Sequence, residues 1–196
     1  MLMKNELVKS FRPANQEEWR QWLIENHRSE ESVWLIYNKK LSGVPSLSWS
    51  EAVDQALCFG WIDSTRKSLD DDTFMQFFCK RKRNSVWSKI NKIKVVRLIK
   101  ENLMTQAGFE CVEAARLNGS WSILDSVEET RVPKDLAEAF KMYRGSKPFF
   151  LRLSKSMRKR ILQWLVLAKR PETRQKRIIE VAEKAGQKSL PKQFLV

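Results

Sequence analysis

The sequence predicts an α+β fold, with helices and a small antiparallel sheet in the N-terminal part and an all-helical C-terminal module. Runs rich in β-forming residues alternate with helical patterns up to about residue 80, whereas every pattern beyond Pro133 is helical. The acidic, weakly patterned stretch 120–133 is the best linker candidate. We therefore predict an N-terminal α+β domain over 1–125 and a basic helical C-terminal module over 126–196.

The first two elements are predicted to be a helix and a strand. Asn15 is a favourable N-cap, and Trp19, Trp22 and Leu23 then fall on one helical face. The next run, 32–38, is rich in β-branched and aromatic residues. It therefore predicts a strand.

A second helix and a hairpin are predicted next. Ser48 and Glu51 have the spacing of a capping box, and Gly60 ends the helix that they begin. The runs 61–66 and 73–78 favour strands, and the polar turn between them carries three consecutive aspartates. This arrangement predicts an antiparallel hairpin.

The rest of the chain is predicted to be helical. One helix spans 87–101, where Trp87, Ile90 and Ile93 recur at helical spacing and indicate that Trp87 lies in the core. Thr105 caps the next helix. Within the C-terminal module the predicted helices begin at Pro133, Pro148, Ser154 and Pro171.

The positive charge of the chain is large and uneven. Lys and Arg number 37 against 23 Asp and Glu, which gives a formal net charge of +14. Residues 134–196 contribute 17 basic and five acidic residues, a net +12. Nine further basic residues lie between Lys80 and Lys100 with no acid among them. This balance favours an anionic partner, namely an acidic protein, an anionic lipid surface or nucleic acid.

Several classes of protein are disfavoured by the motifs that are missing. The three cysteines are widely spaced, and the glycines form neither a P-loop nor a dinucleotide fingerprint. The aspartates of the hairpin turn lack calcium-loop spacing, so we expect no metal and no cofactor. No secretory signal or membrane-spanning run is visible, which predicts a cytoplasmic protein. Cys58 is better interpreted as a buried core residue than as a nucleophile, since nothing in the sequence places His27, the only histidine, beside it.

Two groups of basic residues are candidates for anion binding. Arg170, Arg174 and Arg177 stand at i, i+4 and i+7 and would form one stripe able to bind an anion. The alternative, which the usual surface position of charge runs favours, is a solvated helix face partly neutralised by Glu172 and Glu180. The second group precedes Trp87 and resembles the mixture of cations and rings found at nucleic-acid sites. The alternative is a solvated loop beside a core tryptophan. This group consists of Lys80, Arg81, Lys82 and Arg83.

A small-ligand pocket is a further hypothesis. On a strand, Asp63 would point to the same side as Trp61, and the hairpin could bring both near the start of the following helix. The alternative is a salt bridge between Asp63 and a basic neighbour that fixes the hairpin. The candidate pocket residues are Trp61, Asp63, Arg66, Trp87, Ser88 and Asn91.

Several tryptophan-bearing motifs, in order between residues 11 and 186, resemble one bacterial family. The motifs are Glu18-Trp19 with Trp22-Leu23, Val33-Trp34-Leu35, Ala56-Leu-Cys-Phe-Gly-Trp-Ile-Asp63, Arg66-Lys-Ser-Leu-Asp70, Ser85-Val-Trp-Ser-Lys-Ile-Asn91, Met104-Thr-Gln-Ala-Gly108 and Ala168-Lys-Arg-Pro-Glu-Thr-Arg174. Together they look like the YdeI/OmpD-associated family. The chain departs from the family's pattern at Phe78-Cys79-Lys80-Arg81, where no proline precedes the basic run.

The resemblance implies a bacterial protein linked to protection against bacteriocins or cationic antimicrobial peptides, with no established catalytic residues to carry over. We therefore expect a non-enzymatic stress or envelope-protection protein that engages an anionic partner. Direct capture of a cationic peptide is disfavoured, because a protein of charge +14 repels it at long range. Nucleic-acid binding and a small-ligand or enzymatic pocket remain the alternatives.

Overall fold

The computed structural model describes residues 9–39 and 46–195, and its secondary structure confirms the predicted α+β class. The N-terminal part contains four strands and four helices, in the order β1 (Ser10–Phe11), α1 (Gln16–Asn26), β2 (Ser32–Asn38), α2 (Trp49–Cys58), β3 (Trp61–Ser68), β4 (Thr73–Lys80), α3 (Lys89–Lys100) and α4 (Gln106–Leu117). The helices that follow are α5 (Asp125–Glu128), α6 (Lys134–Met142), α7 (Ser146–Arg152), α8 (Lys155–Val166) and α9 (Pro171–Gly186), with a 3-10 turn at Lys192–Phe194.

The chain divides into two compact units, Met1–Trp121 and Ser122–Val196. The predicted boundary lay a few residues further on, after residue 125. That the two units are independent domains stays a prediction.

The sheet of the first unit has the strand order β1-β2-β4-β3. The predicted hairpin is confirmed, because β3 and β4 pair antiparallel, and β4 also pairs antiparallel with β2. The two-residue strand β1 was not predicted, since so short a run carries no period; it pairs parallel with β2. Alternate residues of β2 are buried, namely Val33, Leu35 and Tyr37.

The core of the first unit lies between this sheet and the helices. Trp19 and Leu23 of α1 are fully buried, as their predicted shared face requires. Helix α2 is buried over most of its length and begins at the predicted capping box, in which Ser48 and Glu51 bond reciprocally.

Helix α3 corrects the predicted core face. Trp87 is buried as expected, but Ile90 and Ile93 are exposed. The helix begins at Lys89, so Trp87 lies before the N-cap Ser88 and does not share the helical phase. Val95 and Leu98 make the buried face instead.

The second unit is helical, and α9 packs against α6, α7 and α8. Ser154 caps α8, and Pro171 occupies the first turn of α9, both as predicted. Helix α7 begins at Ser146 rather than at Pro148, because Gly145 adopts the left-handed conformation that starts the turn earlier. Among the helices of residues 9–39 and 46–195, none is both long and apolar enough to cross a membrane.

Candidate functional site: a cationic cleft

A cleft of about 530 Å³ opens in the first unit. Four separate segments line it: the end of α1, the turn between α2 and β3, the chain after β4, and one side of α4. Its lining residues are His27, Arg28, Phe59, Gly60, Trp61, Lys80, Arg81, Arg83, Ala107, Glu110, Cys111 and Ala114. Four of these are Lys or Arg, against one carboxylate.

Gly60 brings two of these segments together. Its φ of +73° is in the left-handed region, and a Cβ there would lie 3.1 Å from the carbonyl oxygen of Ala107 and 3.3 Å from the Cβ of Cys111. The absence of a side chain lets α4 pass close to the turn. The carbonyl of Gly60 also accepts the Arg81 backbone N–H at 2.9 Å, which positions Arg81 at the cleft.

Arg81 is the most unusual side chain of the site. Its guanidinium carbon lies 3.7 Å from the centroid of the Trp87 ring, and its Nη2 donates to the Val86 carbonyl. Within the part of the chain that the structure describes, Nε and Nη1 are buried without a hydrogen-bond partner. Burial lowers the pKa of Arg81 to about 10, so it remains charged at neutral pH. Buried, charged donors without acceptors are costly, and they suit an anion.

The remaining cations form the rim. Lys80 donates to the Glu31 carboxylate at 2.7 Å and to the Arg28 carbonyl at 2.8 Å, so it is held in place. Arg28 and Arg83 are exposed, and neither guanidinium bonds or pairs with any residue in 9–39 or 46–195. These two side chains are free to move toward a ligand.

The interior of the cleft is more apolar. Trp61 is buried, and its Nε1 donates to the His27 carbonyl at 3.3 Å. The His27 ring lies 5.1 Å from that of Phe59, and its Nδ1 is 2.8 Å from the Leu23 carbonyl. Because a carbonyl only accepts, Nδ1 carries the proton, which leaves Nε2 as an acceptor in the neutral ring.

Asp63 lies outside the cleft lining. Its Oδ2 accepts from the indole Nε1 of Trp49 at 2.8 Å and from Nε2 of Gln76 at 3.2 Å. These bonds join α2, β3 and β4. No described residue forms a salt bridge with Asp63. Two neutral donors, rather than the ion pair considered above, therefore hold this carboxylate.

The other predicted pocket residues are also outside the cleft lining. Arg66 is exposed and lies 3.8 Å from the Phe74 ring centroid. Ser88 caps α3 by accepting the backbone N–H of Asn91 at 3.2 Å, which gives both residues a local structural role. Trp87 is buried beneath Arg81. Of the six predicted pocket residues, Trp61 is the one that lines the cleft.

The predicted anion-binding residues divide between the two units. Lys80, Arg81 and Arg83 line the cleft, and Lys82 is exposed beside them.

The arginines of the C-terminal stripe are in a different situation. Arg174 donates to both oxygens of Asp135, at 2.8 and 3.1 Å, and to the Leu165 carbonyl. Arg177 donates to the Trp164 carbonyl, while Arg170 is exposed at the N-cap of α9. Two of the three guanidinium groups are thus bonded inside their own unit.

No cysteine is set up as a nucleophile. Burial raises the pKa of Cys58 to about 11 and also raises the pKa of Cys79 and Cys111. The thiols therefore stay protonated at neutral pH. Within the described ranges, no group of three or more His, Cys, Asp or Glu side chains is placed to hold a metal ion.

Sequence reasoning missed the contribution of α1 and α4 to the site. His27, Arg28, Glu110 and Cys111 reach the cleft from segments far apart in the chain, and no local motif marks them. Only the fold brings them together.

Two family models match the chain. Residues 11–111, which include all of the cleft but Ala114, match a model described as "Domain of unknown function (DUF8412)". Residues 129–188 match one described as "Bacteriocin-protection, YdeI or OmpD-Associated", which confirms the predicted resemblance there, while the motifs before residue 111 fall under the first model. No curated protein and no solved structure matches. Residues 129–188 are thus similar to the bacteriocin-protection, YdeI/OmpD-associated family, and the chain belongs to the DUF8412 family through residues 11–111.

Proposed function

We propose that this chain is a non-enzymatic, cytoplasmic protective protein that acts by binding an anionic partner in its cationic cleft. The match over 129–188 supports a bacteriocin-protection-like role at the level of the family. The single observation that supports an anionic partner concerns Arg81. Its guanidinium is charged, and two of its donor nitrogens are buried with no acceptor among the described residues.

A carboxylate or phosphate group is more complementary to this cleft than a neutral ligand. It supplies a charge opposite to that of Arg81 and to that of Arg28 and Arg83 at the rim. Glu110 is the one acid in the lining, so the local balance stays positive. The cleft is a more suitable place for this contact than the C-terminal stripe, where Asp135 already neutralises Arg174.

Nucleic acid is a less suitable partner for this surface. Binding of single strands relies on bases that stack on accessible rings. Trp61 and Trp87 are each only 1% exposed, so neither ring face is open to a base.

Calorimetric titration with pyrophosphate and with a short poly-glutamate peptide tests the proposal. We expect one of the two probes to bind, with an affinity that falls as salt rises. The double variant Arg28→Gln/Arg83→Gln should weaken binding about tenfold, or about 1.4 kcal/mol, since it removes two cations and leaves the core intact.

The matched control is Arg152→Gln, which removes an exposed arginine of α7 and should leave the affinity unchanged. Because this control removes one charge instead of two, a free-energy loss about half as large would mean that net charge alone drives binding. No detectable heat with either probe at low ionic strength would refute the proposal.

A further inference from the structure

Helix α3 presents a row of aliphatic side chains to solvent. Ile90, Ile93 and Val96 follow one another at i, i+3 and i+6 and are 64%, 59% and 50% exposed. Three large apolar residues side by side on one helix face are unusual for a surface that contacts only water. A partner that covers them would explain their presence.

The same face carries positive charge. Lys89, Ile93, Val96 and Lys100 fall at i, i+4, i+7 and i+11, so a lysine stands at each end of the aliphatic row. Both lysines are exposed and bond to no described residue. The helix contains no Asp or Glu along its whole length.

Contacts with the rest of the first unit fix the orientation of α3. Val95 and Leu98 are buried, and Lys94 donates to Oδ1 of Asp54 on α2 at 2.6 Å. Arg97 donates to the other oxygen of the same carboxylate. The helix is therefore held against α2, and its aliphatic side chains cannot turn inward without breaking these contacts.

We propose that this face of α3 docks on a lipid bilayer that carries anionic headgroups. Aliphatic side chains bordered by lysines match the boundary between acyl chains and phosphates, where apolar burial and charge attraction act together. A peptide helix would instead need a groove to enter. Side chains that project from a helix at half exposure or more form a raised face rather than a groove, which favours a flat, deformable surface.

This inference goes beyond the proposed function, since no residue of the aliphatic row lines the cleft. Sedimentation with vesicles of phosphatidylcholine alone, and of phosphatidylcholine mixed with phosphatidylglycerol, tests it. We expect binding to the mixed vesicles only. Ile93→Ser should lower the partition coefficient about tenfold by removing buried methylene groups. Lys89→Gln/Lys100→Gln should lower it about thirtyfold, at about 1 kcal/mol for each lysine.

The matched control is Leu117→Ser, which removes an even more exposed aliphatic side chain, 80% exposed, from α4 of the same unit. It should bind vesicles like the parent chain. Equal binding to both vesicle types, or binding to mixed vesicles that Ile93→Ser does not weaken, would overturn the proposal. The proposal would also be overturned if neither vesicle type bound but an acidic amphipathic peptide did, with an affinity that Ile93→Ser lowers. That result would identify a protein partner.

Discussion

At the scale of single residues, Gly108 shows how tightly α4 is seated. A Cβ at this position would lie 2.3 Å from the carbonyl oxygen of Cys58 and 2.8 Å from Cε of Met104. The same Cys58 oxygen accepts from the backbone N–H and the hydroxyl of Thr105, at 3.1 and 2.7 Å. The start of α4 thus docks on the last turn of α2, and one side of the cleft depends on this contact.

We predict that Gly108→Ala destabilises the protein by about 1–3 kcal/mol, because the neighbouring atom is backbone and cannot rotate away. Alanine gains about 1 kcal/mol of helix propensity over glycine, and the clash outweighs that gain. Urea denaturation measures the difference. Glu113→Ala, at an exposed position of the same helix, should stay within about 0.5 kcal/mol of the parent. A Gly108→Ala variant as stable as the parent would show that α4 can move outward freely.

At the scale of elements, the junction of α2 and α3 rests on one carboxylate. Asp54 is buried and accepts from both Lys94 and Arg97. Lys94 is itself only 13% exposed, whereas Arg97 is half exposed and also approaches Glu101 at 3.8 Å. Losing Asp54 would therefore leave a largely buried ammonium group without its counter-ion.

We predict that Asp54→Asn lowers the free energy of unfolding by about 2 kcal/mol, a value below that of a fully buried pair because Arg97 remains solvated. Thermal and urea unfolding provide the measurement. Glu101→Gln removes the exposed partner of the same arginine and should change stability by less than about 0.5 kcal/mol. Equal effects of the two substitutions would assign no special role to the buried carboxylate.

Local chemistry decided how much of the fold was predictable. The capping box at Ser48, the hairpin and the proline at the start of α9 depend on neighbours in sequence, and the structure has them as predicted. The phase of α3 was missed because Trp87 precedes the helix while continuing its apolar spacing. The cleft was only partly predictable, since Lys80, Arg81 and Arg83 are adjacent in the chain but their companions on α1 and α4 are not.

At the scale of the whole molecule, charge sets which partners can approach. The chain carries +14, of which residues 134–196 contribute +12. Internal bonds such as Arg174 with Asp135 order some of these cations without cancelling the excess. The long-range field therefore attracts polyanions and repels polycations.

We predict that a cationic antimicrobial peptide does not bind this protein at low ionic strength, where repulsion is strongest. Fluorescence anisotropy of a labelled peptide provides the measurement, and a charge-reversed peptide of the same length and hydrophobicity is the control that should bind. Tight binding of the cationic peptide would point instead to direct sequestration. In that case a local acidic surface on the protein would have to attract the peptide more strongly than the net positive charge repels it.

The irregular pairing of β3 affects how readily the protein can aggregate through its sheet edge. This strand forms one edge of the sheet, its pairing register shifts between Asp63 and Arg66, and residues 64–68 are exposed. Arg66 lies over the Phe74 ring, and Lys67 lies 4.9 Å from the Trp34 ring centroid. A shifted, doubly cationic edge is a poor template for a strand from another molecule. The protein thus has a built-in barrier to growth of its sheet into aggregates, which matters for a chain whose neighbouring strands are rich in aromatic residues.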